Sequence, residues 1–233
     1  MPDNLSTHRL HSSAFDRPEE IDPSDPKRIM FLSVEGANTE RQYFGHLSKY
    51  IRSRGDFVFH VKILDRYRSD GRSAPKHVVD LIDEYLERIP KSYEGDVFAA
   101  IFDRDGGSGG RSKESIETCI ADCDTKGYRI YLTNPCFEFW LLLHLCNVKT
   151  EYACKLAELL VNNRVSSKHT FVSNEVSIRA NHAKGITEAK FRSTYLPQIS
   201  QAMIYAESFS TKLEDILDNL GTNLSELFHE LKF

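Results

Sequence analysis

Val97-Phe98-Ala99-Ala100-Ile101-Phe102 runs without a break into Asp103-Arg104-Asp105, and then into Gly106, Gly107, Gly109 and Gly110. A short, wholly apolar run ended by charge and then by glycine reads as a buried strand. The glycine cluster cannot continue a strand and reads as a loop.

Ile29 to Val34 is a second run of this kind, ending at Glu35-Gly36. Asn38 or Thr39 then caps a helix whose apolar stripe is Tyr43, Phe44, Leu47, Tyr50 and Ile51. Phe57, Phe59, Val61 and Ile63 alternate with partly polar neighbours, as a strand does. A polar loop over Arg66 to Ser73 leads to Pro75. That proline opens a helix with Val78, Val79, Ile82, Tyr85, Leu86 and Ile89 on one stripe. Beyond the glycines, Ile116, Cys119, Ile120 and Cys123 mark a helix, and Tyr128 to Leu132 a fourth strand. Asn134 reads as the cap, and Pro135 as the first residue, of a helix carrying Phe137 to Leu145.

Strand and helix alternate, which predicts an α/β fold with a mostly parallel sheet of about four strands flanked by helices. After Lys149 the strand signals nearly vanish. A helical C-terminal portion is expected, with a long helix near Ile199 to Leu217 and a short one near Leu224 to Leu231. The expected boundaries are a flexible lead-in over 1–26, a core over 27–148, and helices over 149–233 packed on that core.

The 233 residues are 40% hydrophobic and 27% charged, enough to bury a core. No apolar run is long enough to span a bilayer, and no charged-then-apolar leader opens the chain, so a cytoplasmic location is expected. The five cysteines are odd in number and contain no Cys-x-x-Cys pair, so reduced, mostly buried thiols are expected. Net charge is −4, yet residues 41–76 hold nine Lys/Arg against three acids, and residues 164–192 hold six against two. Such segments are solvated faces or nucleic-acid contacts, and their flanking of the acidic motifs favours contact.

Ligands of parallel sheets sit beyond the carboxyl ends of the strands. Glu35 lies just past the first strand, and Asp103 and Asp105 just past the third. In an extended Asp-x-Asp both side chains point one way. Three carboxylates together repel, and a bound Mg²⁺ or Mn²⁺ removes that cost, because hard cations take oxygen ligands. Asp-x-Asp after a strand is also found in phosphatases and glycosyltransferases, which would need no Glu35.

The stretches Val34 to Glu40, Phe102 to Asp105 and Asn134 to His144, in that order, resemble the RloB-like family, as does Thr222 to Leu227 near the C-terminus. That family is similar to the Toprim superfamily of topoisomerases, primases and defence nucleases. The glycine-rich stretch after Asp105 departs from the polar residues more usual there. The resemblance implies a Toprim-like core and a Mg²⁺- or Mn²⁺-dependent nuclease. It acts on DNA or RNA in antiviral, restriction-associated defence, with an ABC- or AAA-type ATPase encoded nearby. A non-cleaving module that binds nucleic acid or a partner is the alternative, and a homodimer is left open. In the Toprim reading Asp103 and Asp105 coordinate the metal, and Glu35 is a further ligand or the general base.

Glu138, in the first turn of its helix, either complements the positive helix end or reaches the metal or its water. Glu40 reads as a capping acid with a secondary claim on the site. Asn38 and Thr39 belong to a turn whose N–H groups could receive a phosphate. Asn134 is a cap or a phosphate contact, and Arg104 a partner for a carboxylate or a phosphate. Arg111, Lys113, Arg179, Lys184, Lys190 and Arg192 are candidate backbone contacts. Trp140 and His144 read as core rather than as a stacking platform and a proton donor.

Overall fold

A computed structural model describes residues 28–36, 38–54, 59–64, 75–88, 95–105, 112–181 and 185–233. The expected lead-in, the polar loop after Arg66, Phe57, Ile89, the glycine cluster, Arg111 and Lys184 lie outside the described residues.

Five strands form one sheet in the order β2-β1-β3-β4-β5. They are β1 (Arg28–Val34), β2 (Phe59–Ile63), β3 (Val97–Asp103), β4 (Arg129–Asn134) and β5 (Gly221–Thr222). The first four run parallel, with Val34 beside Ile101 and Asp103 beside Thr133. Between them lie α1 (Thr39–Ser53), α2 (Pro75–Arg88) and α3 (Lys113–Lys126). Ser112 caps α3 by accepting the Ser115 N–H, and Gly127 ends it in the left-handed conformation.

The period of two along each strand assigns the faces. Met30, Leu32 and Val34 of β1, Ala99 and Ile101 of β3, and Tyr131 of β4 enter one core with the α1 stripe. Phe31, Ala100, Phe102, Ile130 and Leu132 enter the other, under α2 and α3. Two-sided burial accounts for the uninterrupted apolar runs.

The rest of the chain forms α4 (Phe137–Leu145), α5 (Val148–Glu151), α6 (Leu156–Val161), α7 (Phe171–Arg179) and α8 (Glu188–Lys190). A π turn over Phe191–Tyr195 and a 3₁₀ turn then lead to α9 (Ile199–Ala206), α10 (Leu213–Ile216) and α11 (Leu224–Glu230). The α1 stripe, α4 and residues of α7, α9 and α11 belong to one buried cluster, so one core joins the sheet to the C-terminal helices. Trp140 stacks on Phe228 with ring centroids 5.1 Å apart. Among the described residues, no helix is long and apolar enough to cross a membrane.

Three expectations are corrected. The long helix near Ile199 to Leu217 is broken after Ala206, where the chain turns so that Ser210 can bridge to Gly221. A fifth strand, only two residues long, follows and pairs antiparallel with β4; so short a strand has no periodicity to read. Asn134 does not cap α4, and Pro135 is not its first residue. Asn134 ends β4, the Asn134–Pro135 peptide is cis, and Cys136 precedes the helix in extended conformation. Among the cysteines, Cys119, Cys123, Cys136 and Cys146 are buried and Cys154 is exposed.

Candidate metal centre

The strand order brings distant residues together. From β1 the chain passes through α1 to β2 on one side, then returns over the opposite face to β3 on the other side of β1. The connections therefore diverge between β1 and β3, and a crevice opens beyond their carboxyl ends. Glu35 and Asp103 stand at its two lips. The Glu35 N–H extends the pairing by donating to the Ile101 carbonyl at 3.1 Å. Its Oε2 accepts the Asp103 N–H at 3.3 Å.

Asp103 falls on the sheet face that carries α1 and α4, and both helices begin at the crevice. From α1, buried Glu40 folds back to accept the Gly36 N–H at 3.0 Å. A Cβ on Gly36 would overlap that carboxylate, so the close approach requires glycine. From α4 come Glu138 and a backbone hydrogen bond from Phe137 to the Asp103 carboxyl. Burial, and then the charges of Glu40, Glu138 and Asp105, hold Asp103 well above the ordinary carboxylate range; the Phe137 bond opposes this and is outweighed. Buried Cys136 shares the same field. Its thiol is pushed up by burial and by Glu138 and Asp103.

Asp105 reaches this cluster differently from the sequence expectation. The strand ends at Asp103, and Asp105 is exposed with φ of 44°, so the Asp-x-Asp segment is not extended and period-two alternation does not align its acids. The turn is held by β4: the Arg104 N–H donates to Thr133 and the Asp105 N–H to Pro135, at 2.8 and 2.9 Å.

The other candidates separate. Arg104 points away from the acids, as alternation predicts, and its Nε donates to the Leu217 carbonyl at 2.8 Å. Asn134 is buried with its amide donating to the adjacent Ile216 carbonyl at 2.7 Å. Together they fasten the end of α10 beneath the Asp103 turn. Lys113 pairs with Asp218 at 2.6 Å and Arg179 with Glu151 at 2.7 Å. Arg192 pairs with Glu188 at 3.1 Å, and Lys190 donates to the Ala180 carbonyl. Asn38 is exposed at the start of α1, with no side-chain cap bond, and Thr39 is half-buried behind it.

Glu40 is the residue that sequence reasoning undervalued. Its signal was present, an acid in a helical first turn shortly after Glu35-Gly36, but a surface cap gives the same signal. Burial in the crevice distinguishes the two. No pattern in the sequence pointed to Cys136.

A family model described as RloB-like protein matches residues 30–231. The chain belongs to the RloB-like family. The match takes in Glu35, Glu40, Asp103, Asp105 and Glu138, so the acidic crevice lies within the RloB-like region. No curated protein and no solved structure matches the chain.

Glu35, Glu40, Asp103, Asp105 and Glu138 are the acids that this RloB-like chain brings to the crevice. Their donors are all carboxylate oxygens, a set suited to Mg²⁺ or Mn²⁺ rather than to a soft metal. Among the described residues, no three His, Cys, Asp or Glu side chains already stand together at ligand geometry.

Proposed function

We propose that this RloB-like protein is a Toprim-type nuclease that uses Mg²⁺ or Mn²⁺ to hydrolyse phosphodiester bonds of DNA or RNA. Its setting is bacterial antiviral and restriction-associated defence, beside an ABC- or AAA-type ATPase. One observation carries the reading. Asp103 is crowded by Glu40, Glu138 and Asp105 and resists ionisation in a crevice at the point where ligands bind in sheets of this order. Such crowding costs stability, and the carboxylates hold a divalent cation better than they tolerate one another.

Glu35, Asp103 and Asp105 are the proposed ligands, with Glu40 and Glu138 completing the acidic wall. A divalent ion held by these carboxylates would supply charge neutralisation at a phosphate and a more acidic water. Glu35, whose Oε2 accepts the Asp103 N–H, would take the proton of an attacking water. The Asp103 turn, braced by Thr133 and Pro135, keeps its carboxylates in register with β1.

The test is incubation of the protein, alone and with the ATPase, with plasmid and with tRNA in Mg²⁺, Mn²⁺ or chelator. Cleavage in metal that is lost in chelator and in Asp103→Ala is expected. Cleavage surviving both would remove the mechanism. The defence setting is tested by phage plaque counts in cells carrying both genes.

A second reading is a non-cleaving module that binds nucleic acid or a partner in such a system. It is favoured by the exposure of Asp105 and by the lack of a ready-made ligand trio among the described residues. Tight partner binding with no turnover in any metal would establish it.

A further inference from the structure

The second basic segment was expected to supply phosphate contacts, but Arg179, Lys190 and Arg192 are engaged within the fold. Arg164 and Lys168 are held less firmly: Arg164 donates only within its own turn, to the Ser167 carbonyl, and the Lys168 ammonium has no bond among the described residues. Both are exposed, and neither has an ion pair among the described residues. They lie on a short hairpin, residues 163–170, closed by an antiparallel bridge between Arg164 and Thr170.

The hairpin is stiff. The Val165 and Ser166 N–H groups both donate to the His169 carbonyl, at 3.0 and 3.1 Å. Ser166 Oγ accepts the Lys168 and His169 N–H groups, and the Arg164 guanidinium reaches the Ser167 carbonyl at 3.0 Å. Its base is fastened beside the acidic crevice. Asn162, in the left-handed conformation, accepts the Val172 N–H on Oδ1 at 2.9 Å. Its Nδ2 contacts Cys136 Sγ at 3.4 Å. Cys136 is the residue whose thiol feels Glu138 and Asp103, so one side chain separates the hairpin base from the carboxylate cluster. Val165 is half-exposed between the cations, an apolar contact for a sugar or base face.

We infer that this hairpin is the backbone-gripping edge of the site. Arg164 and Lys168 bind phosphates flanking the one that lies over the carboxylates, and the ligand is a nucleic-acid strand. The inference rests on the nuclease reading and names the surface that reading lacks. An acidic site repels a polyanion. Cations carried on a braced hairpin whose base adjoins the crevice supply the attraction and set the register of the strand.

The test is fluorescence anisotropy of a labelled single-stranded oligonucleotide and of its duplex, in Ca²⁺, with the full chain. The variants are Lys168→Ala, which removes no contact of its ammonium among the described residues, and Arg164→Ala/Lys168→Ala. The double variant is expected to bind about tenfold more weakly near 0.1 M salt and to lower the salt slope by about two, one per phosphate contact. Its Mn²⁺ binding should be unchanged. Wild-type affinity and slope in both variants would overturn the inference while leaving the nuclease reading intact. A wild-type protein that binds Mn²⁺ but no nucleic acid would overturn it too. If the wild type binds neither, the metal site itself fails.

Discussion

His144 is buried against Trp140, Tyr43 and Tyr195, and its bonds fix both its tautomer and its charge. Nδ1 faces the Trp140 carbonyl at 2.9 Å, and a carbonyl only accepts, so Nδ1 carries the proton. Nε2 is then the acceptor of the Tyr43 hydroxyl at 3.0 Å, and the Tyr43 oxygen accepts the Trp140 indole N–H at 3.3 Å. Protonating the ring would put a charge in an aromatic core. Burial lowers its pKa from 6.5 to about 4, and the Trp140 bond opposes the shift only in part. Because the folded value is depressed, the unfolded chain takes up the proton first. The stability His144 contributes is full above pH 6.5 and is lost as pH falls from there towards about 4, a loss on the order of 3 kcal/mol. Ordinary carboxylates also take up protons as the pH falls towards 4, so the measurement is a difference. Urea unfolding of wild type and His144→Gln is compared from pH 8 to pH 4.5. The wild-type advantage should shrink through the window by more than half of that figure. If Gln does not fold, the His144 ring is titrated by NMR in the wild type instead. A ring that titrates near 6.5, or an advantage independent of pH, would refute the neutral buried histidine.

The acidic cluster predicts a stability cost that metal removes. In chelator, Asp103→Asn should be more stable than wild type at neutral pH, because the raised pKa means the ionised carboxyl opposes folding. The gain should fade as acid protonates Asp103, and thermal melts across pH would show it. Gly36→Ala should leave the fold intact but drive the Glu40 carboxylate from its seat, weakening Mn²⁺ binding in a titration followed by electron paramagnetic resonance. Unchanged affinity would exclude Glu40 from the site. Gly221→Ala puts a Cβ 2.1 Å from the Ser210 carbonyl oxygen, and that backbone cannot swing aside. A loss of about 1–3 kcal/mol in urea unfolding is expected, and a neutral result would show that the 210–221 turn is loosely packed.

Much of the core was legible because its forces are local. The runs over β1 and β3 are apolar throughout since each strand is covered on both faces, and α1 and α2 carry stripes since each is covered on one. Pro75 opens α2 as its fixed φ and missing N–H suggest. The misreadings share a cause. Asn134-Pro135 has the sequence of a cap, but the buried Asn134 amide is claimed by Ile216, a contact 82 positions away. The helix expected from Ile199 to Leu217 is interrupted after Ala206 by a turn in which Ser210 bridges the distant Gly221.

The site divides in the same way. The sequence by itself determined which acids follow the buried strands. Acids that follow apolar strands stand at strand ends, so Glu35 and Asp103 were identifiable without coordinates. It also determined a family-length pattern running from Glu35 to the last helix. Only the tertiary structure decided which acids share a field. Strand order places β1 beside β3, α1 and α4 begin at that crevice, and Glu40 and Glu138 thereby crowd Asp103, while Asp105 arrives through a left-handed turn. Only the tertiary structure, too, separated the cations engaged by neighbouring carboxylates from Arg164 and Lys168. Charge and hydropathy are properties of a residue, whereas repulsion and pairing depend on distance, and distance is set by how the layers close.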